Sequence, residues 1–327
     1  MIRRKFITLL GSAAAVWPLA ARAQSVSMRR VIVLMGTADD AEAKDRAVAL
    51  QEGLQKLRWT VGRDLQINYL FAAGSAERLL AYANEAVASK PDILLAQTNP
   101  AVKALQNVTR TLPIVFLQVS DPVGAGFVRS LSHPGGNITG VAFDASPEIT
   151  AKQAQLLIEV VPKMTRMAVL WNPTSAFLRS YWDVLKASGS ALGVKLQSLE
   201  VRDANEFEAT FDAMTREHAD GLIVLSDTFT TFYRARLAEL AARHKLPAIY
   251  GHDEYIEAGG LMSYGPSLSE GYRLAADFVD KVLKGAKPAD LPVAQPTKFE
   301  LIINLETAKA LDLNIPAAVL SRADKVV

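Results

Sequence analysis

The sequence of 327 residues contains no cysteine, which excludes disulfide bonds, thiol nucleophiles and cysteine-based metal sites. Histidine is also scarce, and the four present are scattered without the spacing of metal ligands. The sequence has no Walker loop for phosphate, no HExxH zinc motif and no GxSxG nucleophile motif. We therefore expect a protein that is not an enzyme and that uses neither a cofactor nor a metal.

Beyond the N-terminus the chain also lacks runs of Lys or Arg and long apolar stretches. The first absence argues against a nucleic-acid partner, and the second against a transmembrane helix.

The N-terminus itself has a basic start (Arg3, Arg4, Lys5), about a dozen apolar residues and Ala21-Arg22-Ala23. This layout predicts a signal peptide, residues 1–23, cleaved after Ala23. The cleaved chain has a formal charge of about −2 instead of +2 and no cysteine for a lipid anchor, so we expect a periplasmic, non-lipidated monomer. The twin arginine leaves general and twin-arginine export both open.

The remaining chain alternates strand-like and helical patterns, which predicts an α/β fold with parallel sheets. About 300 residues exceed one core, so we expect two Rossmann-like lobes. A break follows residue 143, and the last strand–helix unit and a proline-rich linker suggest further crossings near residues 260 and 294. The predicted division is residues 24–143 plus 261–293 in the first lobe and 144–260 plus 294–327 in the second, joined by a three-crossing hinge.

Three of the strand-like runs end in an Asx-Pro pair: Asn99-Pro100, Asp121-Pro122 and Asn172-Pro173. Asn and Asp cap helix N-termini, and proline suits the first helical turn. In an open α/β sheet, ligands bind at the carboxyl ends of the strands, where helix N-termini favour anions. The pattern therefore predicts a pocket for a small anionic or zwitterionic molecule, with capping alone as the alternative role of each Asx residue.

Polar and aromatic residues follow most of the predicted strands. Hydroxyls can bind a carboxylate, Asp can accept an ammonium group, and aromatic rings can stack on an apolar ligand. The candidate ligand-binding residues are Thr37, Gln97, Thr98, Asn99, Asp121, Trp171, Asn172, Ser226, Asp227, Tyr250 and Tyr264. Trp171 and Tyr250 could instead be core residues.

Several segments together carry a resemblance to a known family. They are Met1–Gln24, Gln118–Gly126, Pro134–Gly140, Ala258–Gly265, Leu283–Pro292 and Pro296–Leu301. The chain resembles the ABC-transporter substrate-binding proteins of the TrpX-like family over nearly its whole length. The resemblance implies a type I periplasmic binding fold whose lobes close on a ligand, and an aromatic amino acid as the favoured ligand. By position, it places Thr98 and Asp121 in the first half of the cleft, Asn172, Ser226 and Asp227 in the second half, and Tyr264 near a crossing.

The leading hypothesis is capture of a small carboxylate-bearing ligand for an ABC permease in the inner membrane. A sensor of the same fold that signals to a membrane receptor is the first alternative. A periplasmic hydrolase or lyase that uses Asp121 and Asp227 as a carboxylate pair is the second.

Overall fold

A computed structural model of the chain describes residues 28–143, 147–175 and 177–327. The predicted signal peptide and residues 144–146, where the second lobe was predicted to begin, lie outside the described residues. Among the residues that are described, no helix is both long enough and apolar enough to cross a membrane.

The first sheet has five parallel strands in the order β2-β1-β3-β4-β5. Its strands are β1 Arg29–Met35, β2 Leu65–Phe71, β3 Ile93–Gln97, β4 Ile114–Val119 and β5 Ile138–Ala142. Both faces are covered, because alternate residues of the apolar strands pack into two separate hydrophobic clusters. This burial on both faces explains why strands such as β3 are apolar throughout.

The second sheet has seven strands in the order β12-β11-β10-β9-β8-β6-β7. Its strands are β6 Arg166–Trp171, β7 Lys195–Glu200, β8 Gly221–Val224, β9 Ala248–Tyr250, β10 Met262–Pro266, β11 Phe299–Ile303 and β12 Lys325–Val326. All pairs are parallel except β10 with β11. The prediction of an α/β protein with two Rossmann-like lobes is confirmed.

Helices connect and cover the strands in both lobes. They are α1 Ala41–Lys56, α2 Ala76–Ala88, α3 Asn99–Val108, α4 Ile149–Val160, α5 Leu178–Leu192, α6 Phe207–Arg216, α7 Thr228–Phe232, α8 Arg234–Arg243, α9 Glu254–Glu257, α10 Leu268–Leu283, α11 Leu305–Ala310 and α12 Ala317–Leu320. Helices α1 and α10 pack on one face of the first sheet, as the shared cluster of Leu50, Leu54, Tyr272 and Val279 shows.

The second crossing between the lobes differs from the prediction. Residues 261–293 were assigned to the first lobe, but strand β10 pairs with β9 and β11 in the second sheet. The segment from α10 to Ala294 returns to the first lobe, so the chain crosses between Pro266 and Leu268 rather than near residue 260. The third crossing follows Ala294, whose backbone still pairs with Gly140 and Ala142 of the first sheet. The sequence pattern could not assign β10, because an apolar strand fits either sheet.

Strand β4 has an irregular register against β5, which shapes the loop that leads into the cleft. The pairing shifts between Phe116 and Val119, and Gln118 lies in the left-handed region with φ of +52°. Gly140 has a φ of +154°, and a Cβ there would lie 2.1 Å from the carbonyl oxygen of Phe116. Glycine is therefore required where β5 approaches β4 this closely. The register of the two strands shifts directly after this contact.

Candidate functional site

A cavity of about 1010 Å³ lies between the two lobes at the carboxyl ends of their strands. Loops from both sheets line it, as expected where the strand ends of two open α/β sheets face one another. Eight of the predicted site residues line this cavity: Thr37, Gln97, Thr98, Asn99, Asp121, Asn172, Ser226 and Asp227.

Trp171, Tyr250 and Tyr264 do not line the cavity, which corrects their assignment as ligand-binding residues. Trp171 is 1% exposed, packs against Trp182 and donates from Nε1 to Ser198 Oγ at 2.9 Å. Its side chain follows Val169 on the same face of β6, so it belongs to the core between sheet and helices.

The two tyrosines are buried or stacked within the second lobe. Tyr250 is fully buried and stacks on Tyr255 with ring centroids 4.4 Å apart, and Tyr264 stacks on Phe299 at 6.1 Å. Side chains within a strand point to one face of the sheet or the other, so these two tyrosines pack between sheet and helices and do not face the cavity.

Gln97 organises the first lobe's side of the cavity. Its Oε1 accepts hydrogen bonds from the Gly36 backbone at 3.1 Å and from Thr37 Oγ1 at 3.2 Å, and its Nε2 donates to Gln118. One amide therefore ties the end of β3 to the loop after β1 and to the last residues of β4. This makes Gln97 and Thr37 framework residues of the pocket, because their polar groups are already paired.

Asn99 does not cap its helix, contrary to the Asx-Pro prediction. The N-cap position belongs to Thr98, which has a φ of +82° and makes no side-chain cap hydrogen bond. The Asn99 amide instead donates to the Ser120 carbonyl at 2.8 Å and accepts from the Ser120 N–H at 3.0 Å. Asn99 thus holds the loop after β4 against the loop after β3.

Asp121 and Asn172 cap turns rather than the first turn of a helix. Asp121 is exposed in the cleft and accepts from the Gly124 N–H at 2.8 Å, and no α-helix follows it directly. Asn172 Oδ1 accepts from both the N–H and the hydroxyl of Thr174, while helix α5 begins only at Leu178. These short polar side chains hydrogen-bond to nearby backbone, which is a common local alternative to a helix.

Asp227 is the best-buried carboxylate of the candidate set. Its Oδ1 accepts from the Thr230 N–H at 2.8 Å in a capping box, and its Oδ2 accepts from Asn172 Nδ2 at 2.9 Å. Burial raises the pKa of Asp227, and the hydrogen bonds from Thr230 and Asn172 only partly oppose it. All of these partners are neutral, so the carboxylate lies in the cavity wall without a compensating positive charge.

Several polar atoms in the cavity-lining residues have no hydrogen-bond partner. These are Oγ1 of Thr98, Oγ of Ser226, Oγ1 of Thr231 and Nδ1 of His252. Buried polar groups are normally paired, so these atoms are candidates for contact with a ligand, although the Tyr255 side chain also lies within reach of Ser226 and Thr231. The hydroxyls come from both lobes.

The aromatic part of the lining was missed by the sequence analysis. Six aromatic residues border the cavity: Phe127, Phe143, Phe177, Phe229, Phe232 and Tyr233. Phe143 directly follows β5, whereas the others lie in loops or in or beside the short helix α7. The Asp227-Thr228-Phe229 run was a usable signal, since it places an aromatic residue two positions after a strand-end carboxylate.

His252 contributes a neutral imidazole to the cavity wall. Its ring lies edge-on to Phe143 with centroids 4.6 Å apart. Burial, with a smaller contribution from the Arg46 charge, lowers the pKa of His252 to about 3. The ring is therefore uncharged near neutral pH.

This pKa predicts that the free energy of unfolding falls as the pH drops from 6.5 toward 3. In that window the unfolded chain binds a proton at His252 and the folded chain does not. Between pH 7 and pH 5, we expect wild type to lose about 1–2 kcal/mol more than His252→Phe. Urea unfolding at both pH values measures the difference, with the exposed His133→Phe as control. Equal losses in wild type and His252→Phe would contradict the burial of a neutral imidazole.

Comparisons with known proteins agree with this geometry. Residues 31–327 match the model of a family described as ABC transporter substrate binding protein. A tyrosine-binding protein of Clostridioides difficile is 26% identical over 253 residues, covering 77% of this chain and 72% of the relative. The structure of an ABC domain from Streptococcus pneumonia in complex with L-Trp superimposes with a TM-score of 0.83 at 25% identity, covering 92% of this chain and all of the other. A conserved domain protein from Vibrio cholerae gives the same TM-score at 28% identity and the same coverage.

Proposed function

Because the chain belongs to the ABC transporter substrate-binding protein family, we propose that its ligand is an aromatic amino acid held in the cavity between the lobes. Membership confirms the resemblance seen in the sequence and the type I periplasmic binding fold that it implies. The choice of ligand class rests on the cavity, and it agrees with the tyrosine and tryptophan named for two relatives.

The observation that carries this proposal is the combination of groups in the cavity wall. A zwitterionic aromatic ligand needs a carboxylate site, an ammonium site and an apolar surface. The lining offers hydroxyls from both lobes, a partly buried carboxylate whose hydrogen-bond partners are neutral, and six aromatic side chains. A sugar would need many paired polar groups instead, and a simple carboxylate would leave Asp227 uncompensated.

We assign the ligand carboxylate to the hydroxyls of Thr98, Ser226 and Thr231, because these residues line the cavity from both lobes. The ammonium group pairs with Asp227, since a cation there supplies the charge that the neutral partners do not. Asp121 is a weaker candidate, because it is exposed in the cleft and water can solvate it. Asn99 and Gln97 position the loops that carry these groups.

The setting follows from the family and the N-terminal sequence. We propose that the protein is exported with cleavage after Ala23, stays unlipidated, and delivers its ligand as a monomer to an ABC permease without chemical change. Ligand would bridge the lobes and favour the closed conformation, since contacts to both lobes exist only there.

Thermal unfolding with free amino acids tests the ligand class. At a ligand concentration about 100 times the Kd, binding adds about 2.7 kcal/mol of stability and should raise the Tm by about 5 °C. We expect this rise with L-tyrosine, L-tryptophan or L-phenylalanine, and none with glycine or L-alanine, which lack the ring. Mass spectrometry of the recovered ligand should show it unchanged. No shift with any aromatic amino acid at millimolar concentration would reject this ligand class.

A further inference from the structure

We propose that Asp40 and Arg234 form a closure latch, an ion pair between the lobes that stabilises the closed conformation and so tightens binding in the cavity. The effect on affinity rests on the proposed function, whereas the effect on lobe closure does not. Asp40 precedes α1 in the first lobe, and Arg234 opens α8 in the second. Arg234 Nη2 lies 3.2 Å from Asp40 Oδ2.

The latch is the outer part of a chain of four alternating charges that crosses between the lobes. On its inner side, Arg46 of α1 pairs with Glu254 of α9, and Arg234 Nε lies 3.9 Å from Glu254 Oε2. The order is therefore Asp40, Arg234, Glu254, Arg46, with each acid next to a base. Glu254 also lines the cavity, so this chain borders the ligand site.

Burial increases along this chain toward the hinge. The side chains of Arg46 and Glu254 are 7% and 3% exposed, while those of Arg234 and Asp40 are 17% and 33% exposed. Arg46 also reaches Tyr272 of α10, in the first turns after the crossing at residues 266–268. A pair beside a hinge moves least when lobes rotate, so we assign Arg46 and Glu254 as the pivot pair that persists, and the latch as the pair that breaks.

Both members of the latch keep partners when it opens, so it can open reversibly. Asp40 caps α1, with Oδ1 accepting from the Ala43 N–H at 2.9 Å, and the helix N-terminus stabilises its charge. Arg234 keeps the Thr231 carbonyl, at 3.3 Å from Nη1, and Glu254, both within its own lobe. Neither charge is left unpaired in a buried place.

An aromatic contact lies beside the latch and closes the same edge of the cleft. A Cβ built on Gly74 of the first lobe would lie 3.3 Å from the Phe232 ring of the second lobe. Phe232 ends α7 two residues before Arg234, and both Gly74 and Phe232 line the cavity. Closure therefore joins an ion pair and a ring contact at one edge, which ties the latch to access to the cavity.

Single-molecule distance measurements can test the latch, because the chain has no cysteine and two can be introduced for labelling. Glu77→Cys and Ala209→Cys place dyes on exposed positions near the N-termini of α2 and α6, which face the cleft from opposite lobes. The variants are Arg234→Gln, Asp40→Asn and their combination, with Arg234→Lys as the conservative change. Arg243→Gln is the matched control, since Arg243 lies on the same helix and pairs with Glu208 within one lobe at 2.6 Å.

We expect Arg234→Gln and Asp40→Asn each to lower the closed fraction, the double variant to add nothing further, and Arg234→Lys to restore part of it. Affinity for the aromatic amino acid should fall about two- to fivefold in the single variants and stay unchanged in Arg243→Gln. Distance distributions that match wild type, with and without ligand, would overturn the latch. Failure of wild type to bind any aromatic amino acid would reject the proposed function, while the ligand-free distances would still decide the latch.

Discussion

Replacing Arg46 by methionine should lower the free energy of unfolding by about 3–5 kcal/mol, the largest effect that we expect from one substitution. Arg46 is 6% exposed, and its partner Glu254 is 3% exposed. Methionine fills much of the space but supplies no charge, so the buried Glu254 carboxylate loses its ion pair with Arg46. Removing one member of a buried ion pair is costly because the other charge stays buried without the compensation that the pair provided. Urea unfolding without ligand measures the loss.

The control is Arg29→Met, which removes an ion pair that is exposed to solvent. Arg29 lies 2.7 Å from Asp92, and the side chains are 44% and 29% exposed, so this loss should be about 0–1 kcal/mol. The double variant Arg46→Met, Glu254→Leu should recover much of the stability, because both members of the buried pair are then replaced by apolar side chains. A loss below 1 kcal/mol in Arg46→Met would show that water reaches Glu254 and that the pivot pair is not buried in solution.

Asp227→Asn should weaken binding of the aromatic amino acid about 10- to 100-fold, the largest effect that we expect on affinity. The substitution keeps the size of the side chain and an oxygen for the Thr230 N–H, but it removes the negative charge that we assign to the ammonium group. Isothermal titration calorimetry measures the change. Asp220→Asn is the control, because Asp220 accepts hydrogen bonds from Thr165 and Arg166 at the opposite end of β6 and does not line the cavity.

The raised pKa of Asp227 gives this second prediction a pH dependence. In the free protein, burial favours the protonated carboxyl, whereas an ammonium group nearby favours the carboxylate. Binding therefore releases a proton when the pH is near the raised pKa, and wild-type affinity should fall as the pH decreases toward it. Asp227→Asn should lose this dependence. A tenfold or greater loss in Asp220→Asn, or unchanged affinity in Asp227→Asn, would remove Asp227 from the ammonium site.

The fold was predictable because it depends on local patterns. Apolar strands and amphipathic helices follow from burial on each face of a sheet, so the alternation of strands and helices was predictable from the sequence. Strand β10 was assigned to the wrong lobe, since its sequence fits a central strand of either sheet. Its antiparallel partner β11 lies more than thirty residues later, and no local signal links the two strands.

The site was predictable only where it depends on strand ends. Asp227 and Thr98 follow strands β8 and β3 and line the cavity. Trp171 also stands at the end of a strand, but its side chain is buried in the hydrophobic core. A shift of one residue along a strand moves a side chain from one face of the sheet to the other, and the sequence alone does not fix this position at the end of a strand. Phe232 and the Arg46–Glu254 pair were missed because they depend on how two lobes meet, and that arrangement is not encoded in any short segment.

The late position of helix α10 has a consequence for the order in which the chain folds. The core of the first lobe needs Tyr272, Ala275, Ala276 and Val279 from this helix, although the five strands of its sheet end at residue 142. An N-terminal fragment that stops before α10 leaves part of one apolar face of its sheet uncovered, because α10 covers that face together with α1. The whole second sheet up to β10 is synthesised between the two halves of the first core. The first lobe therefore finishes folding only when about nine-tenths of the chain is present, and contacts this distant in sequence form slowly.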